Sequence, residues 1–352
     1  MADVLFKLHD FGGRGVTCKE QAQLGGAAHL LSFLGSDTVE GVRMANHYYD
    51  CDMAGFSIPA SEHSTVTIWG RDKEYDMFEH HIGLYLVERK VPEGMPKLAA
   101  CVSDTYNVFE ATEAWSTGKL KKMIKKSGGT LVIRPDSGIP TEVLTKIFAI
   151  LEKNLANEIT VNSKGYKVLP YWIRVIQGDG IDIRSMEVIN SCIASLGWST
   201  ENIGYGSGGG LLQKVNRDTQ KWAFKLCAAM VDGEWRDVIK DPITDPGKKS
   251  KAGRLDLIMV DGEYQTIALD PGMDEHPDTA MVTVYDRGKV LISHTLDEIR
   301  ERMTLTEEDV AVPKDWDPKA VYQLEKKRQE VHKAVISKLT SEELDALGLK
   351  AD

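Results

Sequence analysis

The chain has 352 residues, 42% of them hydrophobic and 27% charged, enough for one large domain or two smaller ones of ordinary soluble composition. A formal net charge of -10 excludes a protein whose main partner is a nucleic-acid backbone, which selects basic stripes, but leaves room for local basic clusters that gather phosphates. Charge in MADVLFKLHDFGG where a secretory signal needs an apolar core, and no long apolar run anywhere, predict a soluble, cytoplasmic protein without a membrane span. The five cysteines, Cys18, Cys51, Cys101, Cys192 and Cys227, are scattered with no CxxC pair, which fits reduced structural thiols.

Along the chain, short β-rich or apolar runs recur, each ending in a polar or glycine-rich loop and each followed by a helical pattern. VLFKL at 4–8 leads into HDFGGRG and a helix, and LSFL at 31–34 into GSDT and VEGVRMANHYY. GFSIP at 55–59 leads into ASEHST and a helical region over 73–90, and LAACV at 98–102 into SDTY and NVFEATEAW. TLVI at 130–133 ends in RPDSG before a proline-started helix, YWIRVI at 171–176 ends in QGDG, and NIGY at 202–205 ends in GSGGG before LLQKVNRD. Repetition on this scale predicts parallel strands with crossover helices, and a closed or nearly closed β/α barrel over an open doubly wound sheet. Near residue 220 the pattern turns to alternation with hairpin signals (VDGEW, VDGEY, DRGKV) around a basic loop, KDPITDPGKKSKAGR. The expected layout is an α/β barrel-like domain over 1–218, an antiparallel β-rich region with a basic phosphate loop over 219–305 and a helical tail over 306–352. Within that tail, 318–338 reads as helix and Thr340 with Glu343 as the capping box of a last short one.

Barrel chemistry sits in the loops after the strands. There the sequence puts Phe11, Arg14, Asp37, His63, Asp104, Arg134, Asp136, Asp179 and the glycines 206 and 208–210. Singly, each has a bland account: an Asp caps the next helix, a His packs or lies on the surface, a glycine run makes a turn. As a set on one barrel face they point to a site. GSGGG lets backbone N–H groups approach a phosphate at a helix start, and Lys214, Arg217, Lys225, Lys240, Lys248 and Lys249 follow it, which suggests a ligand with several phosphates. QGDG repeats that geometry one strand earlier. Asp104, Asp136 and Asp179 then have two open roles, binding ribose hydroxyls or holding magnesium through its water shell. Zinc-ligand spacing, a GxSxG elbow and a Walker loop are all missing.

In order, LHDFGGRGV, FLGSDTVEG, GFSIPASEHST, VSDTY, IRPDSG, VIQGDG, GSGGGLLQK and KDPITDPGKKSKAGR resemble the signature segments of the nicotinamide phosphoribosyltransferases, over roughly residues 5 to 255. That resemblance implies a type II phosphoribosyltransferase fold, a homodimer with its sites at the subunit interface, and synthesis of nicotinamide mononucleotide from nicotinamide and phosphoribosyl pyrophosphate. It implies that Phe11 stacks on the nicotinamide ring, Asp37 accepts from the carboxamide nitrogen, Arg134 contacts ring and carbonyl, and Ser57 lies close by. Asp104 and Asp136 would face the ribose and the magnesium–pyrophosphate. Gly178 and Asp179 would hold the product's ribose side, Gly208 and Gly209 its 5′-phosphate, and Arg14, Arg217, Lys225 and Lys248 would neutralise phosphates. His63 matches the histidine that the family phosphorylates with ATP. Family members have a substantial region before LHDFG that lends a second aromatic to the ring sandwich across the dimer; this chain has a few residues there, which implies a half-built nicotinamide pocket, open to completion by a separately encoded N-terminal piece. Gly13 replaces a residue often aromatic in the family, and Ala100 and Ala223 stand where related sequences can carry hydroxyls. A nicotinate phosphoribosyltransferase, which a negative Asp37 disfavours, and a truncated nucleotide-binding module are the competing readings.

Overall fold

A computed structural model describes residues 4–303, 316–338 and 340. The chain forms two compact units, one of residues 1–214 with 295–352 and the other of Val215–His294.

The first unit is built on six parallel strands: β1 (Leu8–Asp10), β2 (Gly35–Ser36), β3 (Leu98–Val102), β4 (Thr130–Arg134), β7 (Ile173–Gln177) and β8 (Ile203–Ser207). Between β4 and β7 lies a small antiparallel pair, β5 (Thr160–Val161) and β6 (Lys167–Val168). The sheet order is β2-β1-β8-β7-β4-β3: the pairs β1–β2, β3–β4, β4–β7 and β7–β8 join parallel strands that follow one another along the chain, β1 and β8 join the first strand to the last, and the sheet curls as a half-barrel. Its two edge strands meet one more segment. Phe56 bridges Gly35 of β2 and Ala60 bridges Ala100 of β3, both in parallel, so residues 55–60 span the gap between the edges. GFSIP therefore appears as two single bridges, not as a strand: Pro59 has no N–H to donate, and its carbonyl accepts from Ala100 instead.

Among the described residues, these strands are flanked or followed by the helices α1 (Lys19–Ser32), α2 (Val39–Tyr49), α3 (His63–Thr67), α4 (Glu74–Ile82), α5 (Val108–Ser116), α6 (Gly118–Ser127), α7 (Pro140–Leu155), α8 (Ile183–Ser195), α9 (Gly209–Leu212) and α10 (Leu296–Arg302). Helix α11 (Pro318–Ile336) packs on α8. Strands such as LAACV and TLVIR read as unbroken apolar runs because helices cover them outside and core fills them inside. On α7, Leu144, Ile147, Phe148, Leu151 and Leu155 follow the helical period and are all buried, about 2 kcal/mol of transfer free energy each. Trp115, Trp172 and Trp198 are fully buried in the same core. Helices α1 and α2 touch backbone to backbone: a Cβ on Gly41 would lie 2.6 Å from the carbonyl carbon of Gly26.

Two expected strands sit elsewhere. Of the expected strand LSFL at 31–34, Leu31 and Ser32 close α1 and Phe33 and Leu34 lead to β2 at 35–36, since an apolar run serves as well for a helix face, with Leu30 buried and Leu31 packed beside it. Val4–Phe6 is a 3-10 turn with Val4 and Phe6 exposed, and the strand begins at Leu8. Thr340 is described alone, and Glu343, with the capping box expected of the pair, lies outside the described residues. Among the described residues no helix is long and apolar enough to cross a membrane.

The second unit consists of three antiparallel hairpins: β9 (Ala228–Val231) with β10 (Glu234–Asp237), β11 (Leu255–Val260) with β12 (Glu263–Ala268), and β13 (Tyr285–Asp286) with β14 (Lys289–Val290). Each turns on two residues of positive φ, Asp232-Gly233, Asp261-Gly262 and Arg287-Gly288, the backbone that matches hairpin twist.

Candidate active site

Loops at the carboxyl ends of the strands enclose a cleft of 290 Å³. Phe11, Arg14, Asp37, Arg134, Asp136 and Gly178 all line it, so six of the candidate residues converge.

Phe11 follows β1 directly, and its N–H donates to the Ser207 carbonyl at 2.9 Å. The ring lies on two glycines: a Cβ on Gly206 would come within 1.9 Å of Phe11 Cε2, and one on Gly178 within 3.1 Å. Gly206 is thus the seat of an aromatic ring, a role different from the phosphate cradle expected of the glycine run. Gly210 has its own constraint, since a Cβ there would meet the Ile181 carbonyl at 2.3 Å. Gly208 and Gly209 open α9; a Cβ on Gly208 would meet nothing nearer than the Phe11 carbonyl oxygen at 3.6 Å, whereas one on Gly209 would stand 2.9 Å from Gln213 Oε1.

Asp37 precedes α2. His9 Nε2 lies 2.9 Å from its Oδ1, and Ser57 Oγ donates to the same oxygen at 2.5 Å. Burial opposes ionisation of Asp37, but the hydrogen bonds from His9 and Ser57 and the charges of His9 and Arg134 outweigh it and hold the carboxyl below its ordinary value. Arg134 ends β4, is buried, and pairs with Glu62 through two nitrogens at 3.4 and 3.2 Å; its Nε has no acceptor among the described residues.

Glu62 sits just before α3, where its N–H donates to Thr65 Oγ1, and so delivers the next residue, His63, to the cleft's other side. His63 Nε2 lies 2.9 Å from Asp104 Oδ1, and its Nδ1 lies 3.9 Å from Asp136 Oδ2. Burial, together with the nearby carboxylates of Asp104 and Asp179, raises the Asp136 carboxyl above its ordinary value against the opposing charges of Arg134 and His63. Asp179 follows Gly178, and its carbonyl accepts from Gln177 Nε2 at 3.1 Å.

Arg217, Lys225 and Lys248 belong to the second unit, where Arg217 pairs with Asp218, Lys248 with Asp245, and Lys225 is exposed. Sequence reasoning missed His9, Thr38 and Glu62. Thr38 Oγ1 accepts from the Gly13 N–H at 3.0 Å and so ties the Phe11 loop to the Asp37 loop. All three lie inside the motifs LHDFGGRGV, FLGSDTVEG and GFSIPASEHST, and their signal was closeness in sequence to Phe11, Asp37 and His63.

The nicotinate phosphoribosyltransferase (NAPRTase) family matches this chain over residues 6–289. The nicotinamide phosphoribosyltransferase of Xanthomonas campestris pv. campestris is 45% identical over 84% of this chain and 62% of its own length. That of Acinetobacter baylyi is 29% identical over 86% of this chain and 61% of its own, and that of Mycoplasma genitalium 33% identical over 71% and 53%. The chain thus spans about six-tenths of the first two relatives. It belongs to the nicotinate phosphoribosyltransferase family.

Proposed function

We propose, from that membership and from the chemistry of the cleft, that the chain carries the catalytic site of a nicotinamide phosphoribosyltransferase. Nicotinamide and phosphoribosyl pyrophosphate would give nicotinamide mononucleotide and pyrophosphate, a step of NAD biosynthesis. The observation that carries this reading is Asp37, an acceptor held ionised in the same cleft as an aromatic ring and a buried arginine. An NH₂ group matches that acceptor, whereas the carboxylate of nicotinate meets repulsion.

Chemically, the pyridine nitrogen's lone pair forms the bond to the anomeric carbon as the carbon–oxygen bond to pyrophosphate breaks, leaving a pyridinium ring. No proton leaves the nucleophile, so no strong base is required. The residues act by placing the ring on Phe11, fixing the amide at Asp37 and Arg134, and stabilising charge on ribose and pyrophosphate. Magnesium would arrive as the salt of the pyrophosphate substrate. Among the described residues no three acidic, His or Cys side chains converge to hold a metal by themselves, so Asp104 and Asp136 would act on its water shell.

ATP coupling is part of the proposal. An ionised Asp104 only accepts hydrogen bonds, so the proton of His63 sits on Nε2 and the lone pair on Nδ1. Nδ1 would attack the γ-phosphorus of ATP, releasing ADP, and the phosphohistidine would later be hydrolysed. Gly208 and Gly209 would receive the product phosphate, with Arg14 as a counter-charge; Arg217, Lys225 and Lys248, in the other unit, are proposed by themselves as phosphate-neutralising residues. The enzyme is proposed to be a cytoplasmic homodimer. A turnover assay with nicotinamide and nicotinate in parallel, with and without ATP, tests the reading; preference for nicotinate overturns it.

A further inference from the structure

We infer that His9 is a positioning residue that sets the preference for a carboxamide over a carboxylate, by fixing which oxygen of Asp37 faces the base; this deepens the reading above and rests on it. Both hydrogen bonds to Asp37, from His9 at 2.9 Å and from Ser57 at 2.5 Å, fall on Oδ1. An ionised carboxylate only accepts, so the His9 proton must be on Nε2. With Oδ1 doubly engaged, Oδ2 is left as the acceptor offered to the cleft that Asp37 lines. The same two bonds help hold the carboxyl ionised against burial, which is what makes the position reject an anion.

The imidazole is itself held in place. It projects from β1, its side chain is 14% exposed, and its ring centroid lies 5.1 Å from that of Phe11. Its far edge rests on Gly35, where a Cβ would come within 2.7 Å of Nδ1. One ring therefore touches both the stacking side chain and the amide acceptor, and so sets their spacing. Ser57 has no such support, because it lies exposed between the single bridges at Phe56 and Ala60.

The test uses the full chain and compares His9→Asn, His9→Gln and Asp37→Asn by calorimetric Kd for nicotinamide, nicotinate and phosphoribosyl pyrophosphate, with melting curves. An asparagine amide ends where Nδ1 lies and cannot reach Asp37, whereas a glutamine amide nitrogen reaches the place of Nε2. His9→Asn should weaken nicotinamide about tenfold and erode the preference over nicotinate by a similar factor, with phosphoribosyl pyrophosphate within about twofold. His9→Gln should return within about threefold of wild type. If Asp37→Asn is impaired while His9→Asn matches wild type, His9 does not position Asp37 and the inference falls alone. Asn and Gln variants that weaken all three ligands equally, or melt early together, would reduce His9 to packing and overturn it. A silent Asp37→Asn, or a wild type that binds neither base, overturns the functional reading and this inference with it.

Discussion

Asp37 and Asp136 line one cleft, yet their surroundings push their carboxyl groups in opposite directions from the same ordinary value of 3.8. Both are desolvated. Around Asp37 the neighbours are donors, His9 and Ser57, and they more than offset the burial. Around Asp136 two further carboxylates, Asp104 and Asp179, add to it, and His63 at 3.9 Å is too distant to cancel them. Burial alone thus says little about a charge; the sign follows from whether donors or acceptors share the pocket. One side is built to keep a fixed negative charge facing a neutral amide. The other gathers negative charge that a cationic guest such as magnesium would relieve.

The strongest way to break this contrast is to unseat the ring between the two sides. Gly206→Ala puts a methyl group into Phe11, and nicotinamide binding should fall roughly 100-fold, whereas Gly208→Ala, with space around its Cβ, should stay within about threefold. Equal losses in calorimetry would mean that the glycine run serves phosphate alone. Next, Asp37→Asn should cut the nicotinamide-to-nicotinate selectivity ratio about tenfold, measured as relative kcat/KM, because the repulsive charge disappears.

Acidification sharpens the comparison without a mutation. Asp136, with its raised carboxyl, takes up its proton first as pH falls, and Asp37 last. Carbon-13 titration of the side-chain carboxyls should place Asp136 above 3.8 and Asp37 below it, and magnesium–phosphoribosyl pyrophosphate binding should weaken before nicotinamide binding does. The reverse order would refute the contrast. Raised in the fold, ionised Asp136 costs stability that its protonation returns; lowered in the fold, Asp37 contributes stability above its ordinary value that is lost as pH falls through its folded one.

The smallest effect is expected from Glu158, a carboxylate outside the cleft. Burial opposes its ionisation, but Lys121, Lys125 and the Trp172 ring N–H hold it at about 2. Glu158→Gln should lower the melting temperature at neutral pH by about 2 °C, after allowance for solvent screening. Since the folded value is depressed, the gap from wild type should close as pH drops from 4.5 towards 2.

The parallel, sequential order of the strands was legible because each apolar run ends in a loop and restarts as a helix. Periodicity could not tell LSFL from a strand, and nothing local announces that residues 55–60 pair through single bridges. For the cleft, Phe11, Asp37, Arg134 and Asp136 were legible as polar or aromatic residues after strands. His9 was not, because it lies within β1 and its partner is 28 positions away in sequence. The seat under Phe11 was hidden for a like reason: Gly206 meets that ring only once β1 lies beside β8.

Gly26 and Gly41 leave no gap between α1 and α2, and Thr38 fills the remaining corner, 3.0 Å from where a Cβ on Gly26 would stand. The loops that carry Phe11 and Asp37 enter these two helices, and Thr38 Oγ1 joins the loops at the Gly13 N–H. In mechanical language, the contact is stiff against compression: a wedge as small as one methyl group at position 26 or 41 would force the two helices apart and, through the loops, change the distance from ring to acceptor. Calibration of the base pocket is therefore stored in the helix contact at Gly26 and Gly41, behind the loops that carry Phe11 and Asp37.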